Sequence, residues 1–232
     1  ALSVALSGDT IEVLSGVEGG DATISTPTIT IFGNGSAGDL TISADNAWVL
    51  VDTVESITVR SGVSNASLNS TVTGSVDVSG ELLIYGTGTY RGDVTVNDPG
   101  TLTISGGEFR GNVTNNSANL LTISGGTFDT FTNNGDVVAS AGTFTDTFTN
   151  NGTFNITNTS SSVIFNITSG TNPAIVNAGT LNVGTSPSDT AVLDINYNVA
   201  GGATVTGISN SGTLNIDQDG AINITTSATT TS

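Results

Sequence analysis

Any chemistry in this chain would have to come from carboxylates, because the other common catalytic groups are missing. The sequence holds no His and no Cys, and its 3 basic residues (Arg60, Arg91, Arg110) face 20 Asp plus Glu. Without imidazole, thiol or ammonium groups, histidine general-base catalysis, thiolate metal sites and disulfides fall away. Two carboxylates could still act as acid and nucleophile or base if they stood within about 10 Å of each other. Asp93, Glu108 and Asp129 occupy neighbouring sequence repeats, yet no tight acidic motif recurs. The expectation is a protein without enzymatic activity, with no catalytic residues and no cofactor.

Three other patterns have a chemical reading. Asn215, Asp217 and Asp219 place acceptor oxygens at alternate positions before Gly220, as a calcium loop does, but no acid follows to supply bidentate ligation. Calcium is the one ion this segment suggests. Asn-x-Ser/Thr acceptors for glycosylation stand at Asn34, Asn65, Asn69, Asn158, Asn166 and Asn223, and also at Asn112, Asn115, Asn151 and Asn155. In a chain this rich in Asn, Ser and Thr their number is close to chance. Arg91-Gly92-Asp93 spells an adhesive tripeptide, but Arg110-Gly111-Asn112 repeats it imperfectly 19 residues on, so the repeat explains it better.

The formal net charge of −17 excludes a phosphate-binding face, so nucleic acid is not an expected partner. Anionic membrane surfaces would repel the chain, and no apolar run reaches the roughly 20 residues of a spanning helix. The chain starts at Ala1, as a secretory signal cut before a small residue would leave it. An extracellular or cell-surface location follows as an expectation.

The elements that would position these residues are short strands. Thr101–Phe109 returns as Leu120–Phe128, and Tyr90–Thr95 as Phe109–Thr114, each 19 residues later. Phe131-Thr-Asn-Asn-Gly returns at Phe148 after 17, and Asn150-Asn-Gly-Thr-Phe-Asn-Ile returns loosely at Asn177 and Asn210. Each unit has apolar residues at alternate positions, bounded by Gly or Asn, and no helical period persists. One such unit cannot bury its own face, but stacked copies can. The expected fold is an all-β parallel solenoid of about 13 rungs with 17–19 residues each, over residues 28–225. Residues 1–27 read as an N-terminal strand or cap, and 226–232 as a polar tail. Segments 158–173 and 185–202 exceed one rung and read as bulging loops. A β-sandwich is the alternative, although it gives no reason for Asn and Phe to recur in register.

On its N-x-G-T-[FL]-N-[IV] units, over most of residues 28–225, the chain resembles the right-handed parallel β-helices of bacterial and archaeal surface proteins. These include autotransporter passengers, related adhesins and surface-layer or filament solenoids. The resemblance implies a structural or adhesive role at the cell surface.

Stacked in register, Asn115, Asn133, Asn150, Asn177 and Asn210 would form an amide ladder. Phe109, Phe128, Phe144, Phe154 and Phe165 would form an aromatic core. Leu2, Val4 and Leu6 alternate as a strand with one apolar face, suited either to covering the first rung or to adding to a neighbouring subunit. The function expected is a self-assembling structural subunit of an extracellular filament or layer. The alternative is an adhesin whose loops bind glycans or cell-surface partners.

Overall fold

The computed structural model describes residues 5–16, 19–157, 163–167, 173–184, 190–200 and 205–229. Every strand pairing given for these residues is parallel, no helix occurs among them, and the fold is a β-solenoid. Contacts divide the chain into two compact units, Ala1–Gly111 with Asn116–Asn119, and Asn112–Asn115 with Leu120–Ser232.

Each turn of the first unit has three faces. The first stacks Thr10–Glu12, Thr30–Ala37, Trp48–Val54, Ala66–Leu68, Glu81–Ile84 and Thr101–Ile104 in register, six strands and therefore five turns. The second carries Ala37, Val54, Val72, Tyr90 and Phe109 inward, and the third stacks Ala22–Ile24, Leu40–Ile42, Ile57–Val59, Val76–Val78 and Val94–Val96. Strand alternation explains the burial. In Ile57-Thr58-Val59 the two aliphatic side chains point inward and are fully buried, while Thr58 faces water.

The second unit repeats the plan with different residues. Its first face stacks Leu121–Asn133, Asp136–Phe144, Thr153–Ile156, Thr180–Val183 and Thr213–Ile216, five strands and therefore four turns. Aromatic side chains fill the interior: Phe128 stacks on Phe144 at 5.0 Å between ring centroids, and Phe148 meets Phe154 at 4.6 Å. Such pairs add about 0.5–1.5 kcal/mol each beyond burial. Phe131 and Phe148 belong to this cluster, although the sequence reading placed neither there. Phe165 pairs through its backbone with Phe144 and Ile195, and its side chain lies outside the described residues.

Three expectations need correction. The turns are fewer than thirteen, because their length is not constant. Register steps are 16 residues between Leu121 and Val137 but 27 from Asn150 to Asn177 and 33 from Asn177 to Asn210. The segments read as bulging loops contain stacked strands, Val163–Ile167 and Val192–Ala200, which extend the second face. The stack also exceeds residues 28–225: it starts at Thr10, inside the segment read as an N-terminal strand or cap, and the last strand, Ala221–Thr229, runs past 225.

Candidate functional site

Two features of the solenoid bear on function, a buried amide ladder and the open ends of the inward rows. In the ladder, Asn115, Asn133, Asn150 and Asn177 are wholly buried. Each Nδ2 donates to the Oδ1 of the next Asn, at 3.0, 2.8, 2.7 and 2.6 Å in order, ending on Asn210. The same amide nitrogens reach backbone carbonyls, so that Asn133 Nδ2 donates to Gly135 and Thr153 at 3.0 Å each. A buried amide needs this saturation, since an orphaned donor or acceptor costs about 1–3 kcal/mol. On the outer surface a second ladder runs the opposite way, Asn215 Nδ2 donating to Asn182 and Asn182 Nδ2 to Asn155, at 2.7 and 2.6 Å.

Glycine completes the Asn-x-Gly corner. A β-carbon on Gly152, Gly179 or Gly212 would strike the carbonyl oxygen of Gly135, Gly152 or Gly179 in the turn before. Gly92 and Gly111 meet the carbonyls of Gly74 and Gly92 in the same manner. The Arg-Gly-Asp tripeptide is therefore a place where a solenoid corner admits only hydrogen at Cα.

Among the described residues, each unit has one uncovered end to its inward rows. In the second unit Ile156, Val183 and Ile216 share one inward row, and their exposure goes from 0% and 0% to 52%. Ile224, at the end of the row through Ile195, is 54% exposed against 0% for Ile195. Place in the stack, not residue type, sets these values. In the first unit the first turn opens into a concavity of about 850 Å³, lined by Ile11, Val13, Leu14, Ala22, Ile31 and Leu40 with Glu12 and Asp21 among them. Thr10–Glu12 and Ala22–Ile24 each pair with one strand among the described residues. Leu6 is 72% exposed, while Ala5 and Ser7 hydrogen-bond to Thr26 and Thr28. Leu2 and Val4 lie outside the described residues.

The remaining sequence candidates are dispersed. Arg110 Nε bonds Glu108 at 3.1 Å and, as the main cause, holds that carboxyl below its usual range. Asp129 accepts from the Thr145 hydroxyl at 3.0 Å. No group of three or more acidic residues suited to a metal exists among the described residues. At the proposed calcium loop, the Asn215 amide belongs to the outer ladder and Asp217 Oδ1 accepts from the Gln218 amide at 2.7 Å. Of the glycosylation acceptors, Asn34 and Asn65 are exposed and Asn69 is half-buried. Asn166 Oδ1 accepts from Asn196, Asn223 Nδ2 donates to Asp194, and Asn158 lies outside the described residues. Among the described residues no helix is long and apolar enough to cross a membrane. No protein-family model, curated protein or solved structure significantly matches the chain.

Proposed function

We propose that the chain is an exported structural subunit that builds an extracellular filament or surface layer by joining copies of itself at its terminal turns. One observation carries this reading: among the described residues no strand is stacked over Ile216, Ile224 or the lining of the first-turn concavity, and these apolar side chains meet water. Solenoid ends that expose apolar side chains beside free strand edges are templates for association.

The occupant of the first-turn concavity is the Leu2–Leu6 segment of a second copy. Its alternating Leu2, Val4 and Leu6 can face the apolar lining while its backbone bonds the edges of Thr10–Glu12 and Ala22–Ile24 that no other described strand pairs. The segment carries no charged side chain, so the contact avoids the repulsion expected between surfaces of net charge −17.

Electron microscopy and sedimentation of the full chain test this. Wild type should give filaments or sheets, and deletion of residues 1–6 should leave shorter species or monomers. Ile216→Asp with Ile224→Asp should do the same while leaving the circular dichroism spectrum unchanged. A wild-type protein that stays monomeric at high concentration would refute the assignment.

A further inference from the structure

The outer surface of the first face in the first unit carries large apolar side chains in an ordered arrangement. Parallel register puts Thr30, Trp48, Ser67, Leu83 and Thr103 in one outward column. Trp48 is 50% and Leu83 37% exposed, whereas the small Ser67 between them is nearly covered. Two rung spacings separate Trp48 from Leu83, about 10 Å. The result is a groove of about 460 Å³ with an apolar wall on each side and a hydroxyl on its floor.

Its rim is polar and directional. Asn46 and Asn65 take left-handed backbone conformations, φ 57° and 55°, which sets them at successive corners beside the groove. Their main chains are anchored there: the Asn46 amide donates to the Ser64 carbonyl at 2.9 Å and the Asn65 amide to Glu81 Oε2 at 3.3 Å. The groove is thus flanked by two carboxamides and one carboxylate, in a chain with no Lys and no nearby Arg among its lining residues.

We infer that this groove is a binding subsite for a neutral saccharide chain presented by another molecule. A pyranose has an apolar C–H face, which the exposed Trp48 ring and Leu83 can cover, and an equatorial rim of hydroxyls that amides and carboxylates recognise. Anionic ligands are disfavoured by Glu81 and by the net charge of −17. A peptide that adds itself as a strand would need a free strand edge, and the strands of this face are paired on both sides at Ala66–Leu68. The inference is independent of self-assembly, since it uses a sheet face rather than a terminal turn.

Trp48 is the sole tryptophan, so its fluorescence reports this groove directly. Protein from a host without N-glycosylation is titrated with cello-, chito-, manno- and galacto-oligosaccharides. At least one series should shift or quench the emission saturably. On an array of the same sugars, Trp48→Ala and Ser67→Leu should each lower binding at least tenfold with unchanged melting temperature. No saturable response in any series overturns the assignment, as does array binding that survives both substitutions. Material from a glycosylating host supplies the last arm. If Trp48 is shielded there and Asn65→Gln exposes it, the groove holds the chain's own glycan and the inference fails.

Discussion

The two units solve one packing problem with opposite chemistries. On the third face of the first unit the second inward position holds Ile24, Ile42, Val59, Val78 and Val96, all fully buried aliphatics. The repeat Arg91-Gly-Asp-Val-Thr-Val against Arg110-Gly-Asn-Val-Thr-Asn makes Asn115 the counterpart of Val96, and from there the position is Asn throughout. An aliphatic row asks of each neighbour only that it be apolar and of suitable volume. An amide row asks that each neighbour be an amide at the same height, because every donor is aimed at a specific oxygen. The amide row thus enforces register across turns as different as 17 and 33 residues, a demand the shorter, steadier turns of the first unit do not make.

The strongest way to break this contrast is to exchange the chemistries. Asn150→Val removes the donor shared by the Asn177 acceptor and the Thr180 carbonyl, and takes one of three acceptors from Asn133 Nδ2. It should cost about 3–5 kcal/mol, while Ile42→Val in the first unit costs about 0.5–1.5 kcal/mol. Urea melts measure both, and hydrogen exchange should show the Asn150→Val loss of protection on turns of the second unit. Equal costs would mean that the ladder is ordinary packing. Gly179→Ala comes next, at about 1–3 kcal/mol, because the added methyl must displace the Gly152 carbonyl. A melting temperature unchanged by Gly179→Ala would show that the corner is looser than its geometry.

The ladder and the parallel fold were legible in the sequence because Asn-x-Gly corners and Phe positions repeat at intervals that only stacking explains. The aliphatic counterpart was legible more loosely, since Leu40-Thr-Ile42, Ile57-Thr-Val59, Val76-Asp-Val78 and Val94-Thr-Val96 keep the cadence while Leu, Ile and Val substitute freely. Turn count failed at the long segments for a related reason. Val163–Ile167 and Val192–Ala200 are strands whose spacing follows no fixed period. Thr10–Glu12 holds a single apolar residue and looked like nothing until paired with Thr30–Phe32. The exposure of Ile216 and Ile224 had no local signal, since it depends on what is stacked over them, and of the expected strand Leu2, Val4 and Leu6 only Leu6 is among the described residues. The groove at Trp48 joins residues 35 positions apart, Trp48 and Leu83, through a register no local pattern reveals. Trp48-Val49-Leu50-Val51 is apolar throughout, so local alternation does not mark the ring as outward-facing.

Two buried tyrosines sharpen the comparison at smaller amplitude. In the second unit the Tyr197 hydroxyl accepts from the Ala174 amide at 2.9 Å and donates to the Thr206 carbonyl at 2.6 Å. Tyr197→Phe strips both and should cost about 1–2 kcal/mol. In the first unit Tyr90 stacks on Phe109 at 4.7 Å, and its hydroxyl finds no partner among the described residues. Tyr90→Phe keeps the stacked ring and removes an orphaned polar atom, so it should be neutral or stabilise by up to about 1 kcal/mol. Burial, and then the neighbouring Tyr85, raise the Tyr90 hydroxyl well above its ordinary value of 10.0. A group whose folded pKa is raised gives stability that is whole below the unfolded pKa and is lost as pH climbs past it. Wild type should therefore weaken above pH of about 10, and Tyr90→Phe should flatten that decline. Melting temperatures across pH 7 to 11 read both effects at once. A Tyr90→Phe variant less stable than wild type at pH 7 would mean that its hydroxyl has a partner.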